Sequence, residues 1–279
     1  LGIKPVMCDV DPNTFNLSAE YIEPLISENT KAIVPVHLYG QSCDMEDIID
    51  LATKYDLKIV EDNAQAIGCE YSFSNGFKQF TGTIGDIGIT SFYPSKNLGT
   101  YGDGGAIFTN NDQLAKKINF IANHGQNKRY HHNIIGCNSR LDSVQAEILN
   151  IKLKYLNEYN SNRQIMAKNY NMAFKEVENI QTPELLSNST HVYHQYTIKI
   201  LDGRRDELKD YLQNKGIPTM IYYPIPLYKQ EAFSNYVDDG YYLKNTEKLS
   251  ENVLSLPIHT EIENSHQDFI IEKVINFFK

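Results

Sequence analysis

What most constrains this chain is the order in which strand-like and helix-like stretches alternate. Lys31 to Leu38 (KAIVPVHL) reads as a buried strand. Asp44 to Tyr55 (DMEDIIDLATKY) reads as a helix with Asp44 at its N-cap and Met45, Ile48, Ile49, Ala52 and Tyr55 on one face. Leu57 to Asp62 is a second strand, Ile87 to Phe92 a third and Gly105 to Thr109 a fourth. Strands alternating with a helix of this length predict an α/β fold with a mostly parallel sheet and covered faces. Such sheets take their ligands beyond the carboxyl ends of the strands. Chemistry is therefore expected at Asp62, after Phe92, and in the loops between.

The remaining stretches fill out two units. Leu1-Gly2 ahead of Lys4 to Val10 reads as the end of a helix followed by a strand, as if the chain enters mid-domain. Asn111 to Ala122 has a helical pattern, and from Leu141 to about Val177 apolar residues recur at helical spacing, as one long helix or two abutting ones. After Pro183 come a strand at Tyr193 to Ile200, a helix over Arg205 to Lys215 stopped by Gly216, a strand at Ile217 to Tyr223 and an amphipathic helix at Gln267 to Phe278. The change of pattern near residue 155 predicts a larger domain at 1–155 and a smaller α+β domain at 156–279.

Composition removes several classes of function. The 26 basic against 35 acidic residues leave a formal charge of −9 with no basic run, which argues against a nucleic-acid partner. No apolar run approaches the roughly 18–20 residues that cross a bilayer, and no signal peptide is visible. Cys8, Cys43, Cys69 and Cys137 form neither a CxxC pair nor a cluster, so no zinc knuckle or disulfide framework is indicated and a cytoplasmic, reducing setting is expected.

Three segments carry candidate chemistry. Asp62, within Val60-Glu61-Asp62-Asn63-Ala64-Gln65-Ala66, stands at a strand's carboxyl end, where it is either a ligand-facing acid or a plain loop acid. Ser91-Phe92-Tyr93-Pro94-Ser95-Lys96-Asn97-Leu98-Gly99 places a lysine at a strand exit. Gly102, Gly104 and Gly105 follow, as where backbone approaches a ligand or turns a simple hairpin. Gly136-Cys137-Asn138-Ser139-Arg140-Leu141-Asp142 opens a helix. Asp142 or Ser139 can cap it, while Asn138 and Arg140 can reach an anion. His124 and Arg129-Tyr130-His131-His132 lack the spacing of a metal site and read as a solvated or interface loop.

Taken together, Glu61-Asp62-Asn63-Ala64-Gln65-Ala66, the Lys96 segment, Tyr101-Gly-Asp-Gly-Gly-Ala106 and Asn138-Ser-Arg-Leu-Asp142 with Gln145-Ala146 resemble the DegT/DnrJ/EryC1/StrS family. The resemblance covers essentially the whole chain. It implies a pyridoxal 5'-phosphate enzyme of the aspartate aminotransferase-like architecture (fold type I) that aminates nucleotide-linked keto sugars. His124-Gly125-Gln126, Arg129 to His132 and Tyr223-Pro224-Ile225-Pro226-Leu227 are most similar to enzymes acting on a 3-keto, UDP-linked N-acetyl-hexuronate, with dTDP-linked sugars next.

Carried over residue by residue, the resemblance makes Lys96 the lysine that bears the cofactor and Asp62 the acid paired with the pyridine nitrogen. Gln65 contacts the ring, Ser91 the phosphate, and Asn138 the neighbouring subunit's phosphate. Arg140, Tyr222, Tyr223 and His124 become substrate contacts. The same resemblance implies glutamate as amino donor, a homodimer with composite sites, and a role in surface polysaccharide or lipopolysaccharide synthesis. Three features depart from the family pattern. The Gly-Thr phosphate loop would precede residue 1, Tyr222-Tyr223-Pro224 stands where many relatives have His-Tyr-Pro, and Tyr71 to Thr81 is longer than the usual link. The alternatives are a non-catalytic member, a 4-keto substrate, a dehydratase, against which Lys96 argues, and a nicotinamide dehydrogenase, for which no GxGxxG follows a first strand.

Overall fold

A computed structural model describes residues 2–238 and 240–279; Leu1 of the predicted helix end lies outside them. Four strands form the first sheet, in the spatial order Ala32–Ile33, Lys58–Asp62, Ile87–Ser91, Gly105–Phe108. The first two junctions are parallel and the last is antiparallel. The Met45–Lys54 helix packs Met45, Ile48, Leu51 and Ala52 against Ile33, Ile59 and Tyr71. Burying side chains of this size contributes roughly 1.5–3 kcal/mol each.

Several expected elements are corrected. The first strand pairs regularly only over Ala32–Ile33, because Pro35 has no N–H to give the ladder; Val36 then returns as a lone bridge to Asp62. Asp44 occupies the N-cap position without capping: its carboxylate takes the Tyr71 hydroxyl instead. Asp142 likewise makes no capping bond. Asn111, by contrast, does cap, accepting from the N–H groups of Gln113 and Leu114. The 141–177 stretch resolves into two abutting helices, Ser143–Lys152 and Leu156–Phe174, joined by a tight turn at Leu153–Tyr155.

The second sheet is antiparallel, in the order Val253–Leu256, Tyr196–Ile200, Ile180–Gln181. All five residues of its central strand are buried. Helices Leu156–Phe174, Arg205–Asn214 and Asn264–Phe278 enclose it, contributing Tyr170, Phe174, Leu208, Leu212, Ile270 and Val274 to a second core. Gly216, at φ +76, ends the 205–214 helix as expected: its N–H reaches Gln213 O and that of Ile217 reaches Leu212 O. Ile217 to Tyr223 is not a strand. Pro218 interrupts it, and only Met220 bridges, to Ser255.

Lys4 to Val10 is not a strand either, yet it has a structural use. The Asp9 carboxylate accepts from the Asn245 and Thr246 N–H groups (both 2.9 Å) and from the Thr246 hydroxyl (2.8 Å). It thereby caps the Lys244–Asn252 helix, whose own N-cap, Leu243, has no side chain able to do so. The long link at Tyr71 to Thr81 forms a small hairpin, Glu70–Ser72 with Lys78–Phe80.

Candidate active site

Asp62 closes its strand between two clamps. Its N–H donates to Pro35 O (2.8 Å), and its carbonyl accepts the His37 N–H (3.0 Å). Oδ1 accepts from the Ala64 N–H at 3.0 Å. Among the described residues no donor reaches Oδ2. Three positions on, Gln65 Oε1 takes the Tyr39 N–H at 2.7 Å, which fixes the amide's orientation, and Nε2 donates to the Tyr223 hydroxyl at 3.3 Å. Tyr39 is buried, packs edge-on against Phe15 with centroids 5.4 Å apart, and donates its hydroxyl to the Tyr222 carbonyl. The fold thus brings Tyr222 and Tyr223 to Gln65 across more than 150 residues of chain. Burial pushes the Tyr223 phenol above its usual range, the Gln65 bond opposes this, and the charges of Tyr222 and Asp62 add to it.

Lys96 lies on the turn that leaves the Ile87–Ser91 strand, with anchors on both sides. Ser91 Oγ accepts the Tyr93 N–H (3.2 Å), Tyr93 O accepts the Lys96 N–H (2.9 Å), and Phe92 O accepts the Thr100 N–H (2.8 Å). Asn97 Nδ2 donates to Asn160 Oδ1 (2.8 Å) and Val192 O (2.9 Å). The neighbouring glycines serve the protein's own backbone: a Cβ at Gly99 would lie 2.5 Å from Pro94 O, and one at Gly105 2.7 Å from Thr90 O. The lysine amine itself makes no hydrogen bond or ion pair among the described residues. Burial lowers its pKa, and the charge of Asp62 works against that shift. Acid and amine therefore share one electrostatic site without touching.

His194 is a site neighbour that the sequence did not reveal. Its imidazole is 6% exposed, and its Nδ1 has no hydrogen-bond partner. Burial pushes its pKa down to about 3, helped by the positive charges of Lys96 and Arg163, so it stands neutral. Tyr39 was missed as well. Nothing in their local patterns marks either residue, because tertiary contacts bring both to the site.

Ser91 ends its strand opposite Gly105 and stays close to the lysine turn. His124, Asn138 and Arg140 do not join this group. They lie on one exposed segment, where Asn123 bridges Asn138, the His124 N–H reaches Cys137 O (2.9 Å), and His132 Nδ1 lies 2.8 Å from His124 O. No hydrogen bond links them to Asp62, Gln65 or Lys96 among the described residues.

An amine disposed to lose its proton, a carboxylate with an open oxygen, an oriented amide and a serine hydroxyl suit a pyridine ring that carries an aldehyde and a phosphate. The comparisons with known proteins agree. The profile of the DegT/DnrJ/EryC1/StrS aminotransferase family matches residues 1–275. The chain belongs to that family. It is 42% identical to a "Pleiotropic regulatory protein" of Geobacillus stearothermophilus over 100% of this chain and 73% of that one. It is also 42% identical to the UDP-2-acetamido-2-deoxy-3-oxo-D-glucuronate aminotransferase of Pseudomonas aeruginosa, over 99% and 74%. NtdA from Bacillus subtilis, solved with bound cofactor PMP, superposes with a TM-score of 0.87 at 34% identity over 98% of this chain and 62% of that one. The chain is accordingly a pyridoxal-phosphate-dependent sugar aminotransferase with the fold of these enzymes. No helix among the described residues is long and apolar enough to cross a membrane.

Proposed function

We propose that this aminotransferase moves the amino group of glutamate onto the 3-keto carbon of a UDP-linked N-acetyl-hexuronate, in the cytoplasm and in the service of surface-polysaccharide synthesis. The observation that carries the catalytic part is that Lys96 and Asp62 share one electrostatic site: an amine whose charge burial disfavours lies within the field of a carboxylate with one oxygen unengaged. Bound pyridoxal phosphate supplies an electron sink and a carrier for the amino group. Lys96 Nζ would hold the cofactor and would serve as the base and acid that moves a proton at the substrate carbon. Asp62, with Oδ2 unengaged, would pair with the cofactor's pyridine nitrogen and favour its protonated form. Gln65 Nε2, oriented by Tyr39, and the Tyr223 hydroxyl would contact the cofactor ring and the sugar, and Ser91 Oγ would bind the phosphate.

His124, Asn138 and Arg140 act in a neighbouring subunit's site. Supporting this, Ile135 (99% exposed), Tyr130 (77%) and Val144 (70%), large apolar side chains near these residues in sequence, lie uncovered. Arg140 there suits the substrate's carboxylate or diphosphate. The 3-keto UDP sugar rests on the Pseudomonas relative's activity, and the compartment on four free cysteines. Borohydride treatment of the yellow, cofactor-loaded chain should trap Lys96. Mass spectrometry of a panel of UDP- and dTDP-linked keto sugars with glutamate should show amination at C3 of the UDP-hexuronate. Product only from a dTDP sugar would move the substrate assignment, and no trapping at Lys96 would end the catalytic one.

A further inference from the structure

Glu61, immediately before Asp62, points to the opposite face of its strand and is fully buried, as is His37. The Glu61 carboxylate accepts from His37 Nε2 (2.9 Å) and from the N–H groups of Gly82 (2.7 Å), Ile84 (2.7 Å) and Gly85 (2.6 Å). Burial alone would raise its pKa, but these donors outweigh that and lower it. His37 Nδ1 accepts the Cys43 N–H at 3.1 Å, so the ring's proton sits on Nε2 and the imidazole is neutral.

Three segments meet at this one carboxylate. The first is the strand that ends in Asp62. The second is the His37–Cys43 loop, which carries Tyr39 and through it orients Gln65. The third is the 82–85 turn, which launches the strand ending in Ser91 and leading to Lys96. The His37 N–H also grips the Asp62 carbonyl. Apolar residues of equal volume would commonly hold such a junction as firmly or more so. What a charged hub adds is a fixed register among the segments.

We propose that His37 and Glu61 are positioning residues which set Asp62 and Gln65 against Lys96. This rests on the cofactor reading above. In the cofactor-loaded chain, Glu61→Gln and His37→Asn should each raise the cofactor Kd by about tenfold or more, the scale seen when carboxylate–histidine supports are removed from other sites. The pH midpoint of the yellow, lysine-bound cofactor should move by about one unit. His37→Gln, which retains a donor toward Glu61, should recover part of both. Folded variants with the wild-type midpoint and Kd, or variants altered only in thermal stability, overturn the inference. Independently of any variant, 15N-histidine NMR of the wild-type chain should show His37 as the Nε2–H tautomer, with a resonance that shifts when cofactor binds; an unmoved resonance also overturns it. Failure of the wild type itself to turn yellow or to be trapped at Lys96 refutes the cofactor reading instead.

Discussion

Two parts of the molecule carry the residues assigned to one site, and they are built differently. Around Asp62, Gln65 and Lys96, nearly every flanking backbone and side-chain group has a partner inside the chain: Tyr39 for Gln65, Asn160 and Val192 for Asn97, and Pro35 and His37 for Asp62. Around His124, Asn138 and Arg140 the side chains are exposed and the Asp112–Ala122 helix buries no residue at all. Groups that must hold a reacting atom in place are preorganised by the chain that owns them, which is where catalysis gains most. The groups proposed to serve a neighbouring subunit are left open.

The largest test of this contrast removes the amine. Lys96→Ala should lower turnover by about a thousandfold or more, the upper part of what a general base contributes, while far-UV circular dichroism stays unchanged. Asp62→Asn should cost about a hundredfold in kcat with a smaller change in the glutamate KM, because the carboxamide keeps the Ala64 contact and loses the charge. Arg140→Ala should act chiefly on the sugar's KM, by about tenfold. Mixed with Lys96→Ala chains, it should yield sites with the wild-type sugar KM, which neither variant shows alone. No complementation would mean that Arg140 serves its own chain, and the contrast would break.

The effect furthest from turnover at neutral pH is on stability. His191 and His194 are both pushed down to about 3 by burial and are neutral in the fold. Below the ordinary histidine range the unfolded chain binds protons that the folded one refuses. Stability should therefore be full above about pH 6.5 and fall by up to roughly 1.4 kcal/mol per pH unit for each histidine as pH drops toward 3. His191→Gln should flatten that acid limb, as read by urea unfolding.

The same contrast explains what was legible from the sequence. The strand end at Asp62, the strand from Ile87 (read one residue long, to Phe92), the turn at Lys96 and the Gly216 stop are legible because local pattern and turn chemistry produce them. The reading failed where tertiary contacts override local preference. Asp44 leaves its cap for Tyr71, Pro218 dissolves a strand that composition favoured, and Asp9 stops resembling a strand residue once Asn245 claims it. Tyr39 and His194 enter the site through contacts distant in sequence, and no window of neighbouring letters could announce them.

The Asp9 carboxylate has a consequence for how the molecule comes into being. It and Asn245 are 236 positions apart, so the residue that completes the Lys244–Asn252 helix is made well before the helix itself. Until that helix is made, the Asp9 carboxylate lacks the Asn245 and Thr246 donors it takes in the fold. A cut or deletion that removes residue 9 should therefore loosen residues 244–252 at the far side of the sequence, and hydrogen exchange there would report whether the two distant stretches have found each other.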